Sequence, residues 1–390
     1  MPILNNAIVF TKENFGNGFD AGLQLKPIEI VLAVRESGLK GRGGAGFPTG
    51  TKWMLAATAS ADKKFVVCNA DEGEPGTFKD RLLLTEFTDK VLEGIILCGY
   101  AIGAQTGYIY LRGEYEYMVR HIESVIEDFH QKNKLGKNIQ GKNFNFEIEI
   151  RLGSGAYVCG EESALIESLE GHRGEPRNRP PYPVNTGFMG YPTVVNNVET
   201  LASIPIIINK GPDWFRTIGT DKSRGSKLLS VSGDVEYPGI YEIPFGLSIR
   251  DLLELVGAKD TKAIQVGGAS GTCISIKELE RNLSFEDLPT GGSIIVFNKS
   301  RDMLKILKNF MEFFVEESCG QCTPCRIGNK KLLDGVIMME KGECSVAYLK
   351  ELIDLGQTMK ISSKCGLGQS SPNPFISIVT NFGDEILASY

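Results

Sequence analysis

Ile28, Val31 and Leu32 recur at helical spacing behind Pro27, a residue suited to a first helical turn, and predict a helix over 27–37. That helix stops at Gly38 and a glycine-rich loop follows at 41–50. Residues 65–68 (Phe-Val-Val-Cys) are apolar and β-branched, as in a buried strand, and open into a polar loop at 69–76. Further strands are expected at 108–111 and 146–150, with helical spacing at 117–129 between them. Strand and helix alternating in this way predict an α/β layer structure over roughly the first 200 residues. From 227 to 298 the pattern changes to short strands (228–231, 239–241, 293–297) and one short helix near 249–256, a small α+β module. Beyond residue 302 helical stripes take over: Leu304, Leu307, Phe310 and Phe314, then Leu333, Val336 and Ile337, then Leu349, Leu352 and Ile353, then Phe375, Ile378, Val379 and Phe382. Four such segments with short links predict a helical bundle. Three domains are expected, at 1–210, 222–300 and 301–390.

Composition narrows the class. With 390 residues, 42% hydrophobic and 23% charged, the chain is neither disordered nor fibrous. A net charge of −6 argues against a nucleic-acid-binding surface. The longest apolar stretch, 91–104, is broken by Glu93 and falls short of the roughly 20 residues a bilayer needs. The N-terminus shows no leader pattern. A cytoplasmic protein without direct membrane contact is expected. Nine cysteines, an odd number spread over a long chain, do not read as a disulfide framework.

Three of those cysteines, Cys319, Cys322 and Cys325, crowd into seven residues of a polar loop between two helical segments. An iron–sulfur cluster needs four converging thiolates, and this spacing lets one loop supply three. The fourth is Cys365 or Cys344. Cys365 sits among small residues (Ser363, Gly366, Gly368) that leave backbone N–H groups free to approach sulfur. The competing reading is a structural zinc site, which prefers paired Cys-x-x-Cys units.

Gly41, Gly43 and Gly46 satisfy G-x-G-x-x-G, but a helix precedes them where a dinucleotide fingerprint requires a strand. What remains is a nest for close backbone approach to a phosphate or ring, flanked by Arg42 and Lys52. The loop Asn69, Asp71, Glu72, Glu74 follows a strand, the end at which open α/β sheets bind ligands. Glycines at 153, 155 and 160 lead to Glu161 and Glu162 at the start of a helix over 163–169. Arg173, Arg177 and Arg179 precede Tyr182, which could stack on a base, and Asn196–Asn197 offer paired amides. The three histidines, His121, His130 and His172, lie outside these loops, so no His-based triad or metal site is expected.

Taken together, residues 41–50, 69–81, 160–162, 194–200, 317–326 and 365–369 resemble one family, in order and over nearly the whole chain. It is the NADH-binding flavoprotein subunit of respiratory complex I together with the diaphorase subunits of NAD-linked hydrogenases and formate dehydrogenases. The resemblance implies a Rossmann-like α/β FMN domain, a ubiquitin-like (SLBB) α+β domain and a C-terminal helical bundle holding one [4Fe-4S] cluster on Cys319, Cys322, Cys325 and Cys365. It implies that Gly41, Arg42, Gly44, Lys52, Asn69, Asp71, Glu72, Gly160, Glu161, Asn196 and Asn197 surround FMN. It further implies that Phe47 stacks on NADH, Glu74 lies beside the nicotinamide and Glu162 meets the adenosine ribose, with Arg179 and Tyr182 at further NADH positions. Leu55 stands where some relatives carry a second stacking aromatic. The implied activity is electron transfer between NADH, FMN and the cluster, with no catalytic general base. Residues 69–74 and 365–374 look more like the soluble diaphorases than complex I, which stays the second reading. The implied partners are iron–sulfur subunits, a small [2Fe-2S] thioredoxin-like one and a larger electron-transfer one. A non-redox zinc scaffold is the reading from another class.

Overall fold

The computed structural model describes residues 8–11 and 17–389; the residues 1–7, on which the leader expectation rests, lie outside them. Four parallel strands, β1 (Phe65–Ala70), β2 (Thr106–Leu111), β3 (Glu147–Leu152) and β4 (Thr193–Asn197), pair in the order β3-β2-β1-β4. β1 is central, with Val67 opposite both Tyr108 and Val195. Its apolar run follows from burial on both faces: Val66, Val67, Cys68 and Ala70 have no exposed surface. β3 is an edge strand and alternates, Ile148 buried between exposed Glu147 and Glu149. The apolar stretch at 91–104 belongs to the helix Thr88–Ile102, buried along almost its whole length. Its Glu93 is tolerated there because Lys134 pairs with it at 3.0 Å. Among the described residues no helix is long and apolar enough to cross a membrane.

Element boundaries shift by a few residues at most from expectation. Asn69 and Ala70, expected in a loop, continue β1, because their backbones pair with β2. The helix expected at 117–129 runs Val119–Gln131, preceded by a 3-10 turn at Gly113–Met118. The Asn196–Asn197 amides end a strand, β4, that leads directly into the helix Val198–Ala202.

A second, mixed sheet contains β5 (Ser226–Gly233), β6 (Gly239–Pro244), β7 (Thr261–Val266), β8 (Thr272–Ser275) and β9 (Ser293–Asn298), in the order β6-β5-β9-β7-β8. β5 and β9 are parallel and the other pairs antiparallel. The helix Ile249–Leu255 packs on it through Ile249, Leu252 and Leu253. The C-terminal region is helical: Met303–Glu317, Thr323–Glu340, Val346–Ser362, a short turn at Gly366–Ser370, and Pro372–Ser389. Gly328 and Gly335, two turns apart, let the second and third of these helices close. A Cβ at either would stand 2.3 Å from Met359 Sδ or 2.2 Å from Leu352 Cδ1. The last helix ties the bundle to β8: the Ser377 hydroxyl accepts from Cys273 N at 3.0 Å, and Asn381 donates to Cys273 O at 3.1 Å.

Candidate functional site

In the order β3-β2-β1-β4, the chain leaves β1 for β2 on one side while β4 arrives on the other. The crevice outside the carboxyl ends of β1 and β4 is therefore the topological switch point, where open α/β sheets bind ligands. Asn69, Asp71, Glu72, Asn196 and Asn197 all stand at this point. Asn69 donates to Gly160 O at 2.8 Å and accepts from Asp71 N at 3.1 Å, which joins the β1 loop to the Gly160 turn. Asn196 accepts the Trp53 indole N–H at 2.8 Å. Asn197 caps the helix Val198–Ala202 and donates to Asp80 at 2.7 Å. The 41–50 loop folds over the crevice, with Gly43 against Asn197 and Gly46 against the Phe285 ring of the second module. Gly44 and Gly46 have φ of +113° and +66°, backbone that other residues rarely adopt. A Cβ at Gly41 or Gly160 would meet nothing nearer than 3.7 Å, ordinary van der Waals contact, so neither backbone is crowded by its surroundings.

Asp71 is the group in this crevice whose chemistry is unfinished. Its Oδ2 is buried without a hydrogen-bond partner, and burial pushes the carboxyl up to about 7 against the pull of Arg112. A ligand with hydroxyl or ring N–H donors fits such a carboxylate. Most of the other polar groups are committed, although Arg42 Nε and Thr49 Oγ1 are also buried without a partner. Glu72 accepts from Asp80 N (2.8 Å), Arg81 N (3.2 Å) and the Tyr115 hydroxyl (2.9 Å), and burial raises its pKa. The Arg42 guanidinium turns away from the crevice, donating to Lys40 O and Arg224 O and lying 4.8 Å from the Phe245 ring. Glu161 caps the helix Glu162–Leu169 and pairs with Arg179.

At the outer edge Lys52 bridges Glu162 (2.8 Å) and Val195 O (3.1 Å), and Arg179 also reaches Glu162 at 3.4 Å. Phe47 lies 5.9 Å from Lys52 Nζ and is 47% exposed, and Tyr182 and Leu55 are about as open. Glu74 lies deeper. It accepts from the Tyr157 hydroxyl (2.6 Å) and from Ser270 N and Oγ (3.1 and 2.7 Å), and burial raises its pKa despite these bonds. Tyr157 and Ser270 were not singled out by sequence, because Ser270 reaches the site only through the packing of the second sheet. Tyr157 continues toward the bundle, its ring 5.1 Å from Phe313 and its N–H bonded to Glu317 at 3.0 Å.

Cys319, Cys322, Cys325 and Cys365 line a single recess with Val158, Pro176 and Leu367; Cys344 lies outside it. Thiolates around one zinc ion stand about 3.8 Å apart, from Zn–S bonds of about 2.3 Å in a tetrahedron. Among the described residues, the trio of ligand atoms within 4.8 Å of one another is Glu167, Glu170 and His172, not any three of these cysteines. No three of these four sulfurs lie within 4.8 Å of one another, and the recess they share suits a polynuclear cluster. That acid–histidine trio is charge-matched by Arg177, at 2.5 Å from Glu167 and 2.7 Å from Glu170. The Cys365 sulfur faces the N–H groups of Leu367 and Gly368, which offset part of the rise that burial imposes on its pKa. Gly368 must be glycine: a Cβ would sit 2.7 Å from Ser363 Oγ and 2.9 Å from Cys325 Cβ. Burial pushes the Cys325 thiol up to about 11, and Asn329, one turn along the same helix, donates to its sulfur. The i+4 spacing from a ligand cysteine was the signal that could have identified Asn329.

Residues 34–206 match the family model described as the Nuo51 FMN-binding domain, and residues 305–389 match the NADH-ubiquinone oxidoreductase-F iron-sulfur binding region. The chain is 48% identical over 365 residues to the NAD-reducing hydrogenase HoxS subunit alpha of Cupriavidus necator, covering 93% of this chain and 61% of that protein. It is 44% identical over 374 residues to an NADH-quinone oxidoreductase F-type component of Rhizobium meliloti, covering 93% and 89%. A crystal structure of NAD+-reducing [NiFe]-hydrogenase in the H2-reduced state superposes with a TM-score of 0.90 at 42% identity, over 97% of this chain and 65% of that one. The chain thus spans less than two thirds of these two hydrogenase chains. By two matched regions and by identity over nearly its full length, it belongs to the family of 51 kDa-type subunits, with an FMN-binding domain and a [4Fe-4S] region, found in complex I and NAD-linked hydrogenases.

Proposed function

We propose that the chain is the diaphorase subunit of a soluble NAD-linked hydrogenase or formate dehydrogenase, passing electrons between NADH, FMN and a [4Fe-4S] cluster. The observation that carries this reading is the pairing of two sites: a switch-point crevice with an unsatisfied buried carboxylate, and a four-cysteine recess, with Tyr157 between them. FMN supplies a hydride acceptor and the cluster a one-electron carrier. Gly41, Gly44 and Gly160 offer bare backbone to the flavin, and Asp71, Asn69, Asn196 and Asn197 border it. Arg42, Glu72 and Glu161 brace these elements from behind, since their polar atoms already hold backbone groups of this chain. Phe47 and Tyr182 give NADH faces to stack on, while Lys52, Glu162 and Arg179 exchange their mutual pairing for its hydroxyls and phosphates. Glu162 repels a 2′-phosphate, which favours NADH over NADPH. Glu74, held by Tyr157 and Ser270, is fixed as an acceptor beside the nicotinamide. The cluster ligands are Cys319, Cys322, Cys325 and Cys365.

The order of the second sheet, 2-1-5-3-4 within the module and with its first and last strands parallel, supports the ubiquitin-like SLBB reading of 222–300. The partners are iron–sulfur subunits of the same complex, in the cytoplasm, a reading supported by the hydrogenase relative. An anaerobic visible spectrum before and after NADH, with NADPH as control, tests the function. Flavin bands and a broad iron–sulfur absorbance that bleach with NADH support it. A colourless, zinc-containing protein, or a flavin indifferent to NADH, overturns it.

A further inference from the structure

We infer that Ser318 and Asn329 raise the reduction potential of the cluster by donating hydrogen bonds to the Cys325 sulfur, an inference that rests on the cluster reading above. Cys325 is the most buried of the four ligands, at 5% exposure. Among the described residues it is also the one whose sulfur meets side-chain donors: Ser318 Oγ at 3.2 Å and Asn329 Nδ2 at 3.3 Å. A thiolate bound to iron carries no proton, so the Ser318 hydroxyl is necessarily the donor in that pair. Gly320 N donates to the same hydroxyl oxygen at 3.4 Å, which leaves its proton for the sulfur.

Asn329 stands in the interior of the helix Thr323–Glu340, 1% exposed, on a face otherwise carrying Leu332, Val336 and Met339. Packing does not explain an amide there. Its Oδ1 is buried without a partner, and its second contact, to Phe314 O, is long at 3.5 Å. A leucine, branched at the same carbon though bulkier, would leave no unsatisfied oxygen there. What the amide adds is an N–H on a ligand sulfur one helical turn away, beside the hydroxyl that reaches it from Ser318. Reduction adds negative charge to a cluster and its thiolates. Donors fixed on a thiolate stabilise the reduced form more than the oxidised one, and the low dielectric of this recess enlarges the difference. Ser318 and Asn329 are positioning residues in this sense, touching the ligand rather than the metal.

The test is an anaerobic redox titration of the purified holoprotein, with the reduced cluster followed by EPR and cluster content by iron and sulfide analysis. Ser318→Ala and Asn329→Leu should each move the midpoint to more negative potential at unchanged cluster content. Together they should change the reduced-to-oxidised ratio at the parental midpoint about tenfold, which is about 59 mV for a one-electron couple. Ser318→Thr, which keeps the hydroxyl, should restore the parental value. Should Asn329→Leu fail to fold, the Ser318 pair decides alone. An unshifted midpoint in Ser318→Ala with full cluster content, equal shifts in Ser318→Ala and Ser318→Thr, or cluster loss in Ser318→Ala each overturn the inference while leaving the diaphorase reading intact. A parent protein without iron overturns both.

Discussion

Glu199 follows the Asn196–Asn197 pair by two residues and carries the contact between the first sheet and the second. Its carboxylate receives Lys227 from β5 and Lys79 at 3.0 Å, and accepts from Leu228 N at 2.8 Å, with every side chain at 1–2% exposure. Burial pushes Glu199 up, but Lys227, Lys79 and Arg42 outweigh it and hold the carboxyl below its ordinary range. Burial brings the Lys227 ammonium down to about 7 even with Glu199 beside it. Glu199→Gln keeps an acceptor for Leu228 N but leaves Lys227 with only Leu228 O at 3.1 Å. Breaking a buried pair by removing one partner costs about 3–5 kcal/mol. Lys79 retains Asp80 at 2.6 Å, so the lower end of that range applies, about 3 kcal/mol, or roughly two orders of magnitude in the folded-to-unfolded ratio. Urea unfolding at pH 7, followed by tryptophan fluorescence, reads it out, because Trp53 is fully buried and bonded to Asn196 near the β4 terminus. The double variant Glu199→Gln, Lys227→Met should recover most of the loss by removing the orphaned amine. A cost below about 1 kcal/mol, or a double variant equal to the sum of its parts, would refute the reasoning.

Cys365→Ser should lower iron content and remove the cluster's visible absorbance while leaving flavin bleaching by NADH; Cys344→Ser, outside the recess, should change neither. Gly368→Ala should reproduce the Cys365→Ser loss of iron, since its Cβ would meet Ser363 and Cys325; a normal iron-to-protein ratio would show that the turn can give way. In the flavin-free protein, Asp71, at about 7 folded against 3.8 unfolded, binds more protons in the fold. Its contribution is therefore greatest below pH 4 and declines as pH rises toward 7, by up to a few kcal/mol. Asp71→Asn should flatten that part of the urea-midpoint profile between about pH 4 and 7; an unchanged slope would contradict the burial argument.

Local chemistry was written in the chain. Three cysteines within seven residues need no tertiary information to read as cluster ligands, because one loop can deliver them all. The apolar run at 65–68 and the helical stripes after 302 report their own burial through their period. Ligand choices at long range were not legible in that way. Spacing alone left Cys365 and Cys344 open, and the folded chain puts Cys365 on the recess and Cys344 off it. Asn196 and Asn197 read as a pair of amides, yet their position at the switch point depends on β4 pairing with a strand 128 residues earlier. Arg42 looked like a phosphate cation, and only packing against Phe245 and Arg224 O shows that its charge is used between the modules. Ser270 reaches Glu74 across 196 residues. The sequence determined which groups each loop carries, since that is set by neighbours along the chain. The tertiary structure decided which of them face open space and which are spent holding the backbone, because burial and pairing arise only when distant segments meet.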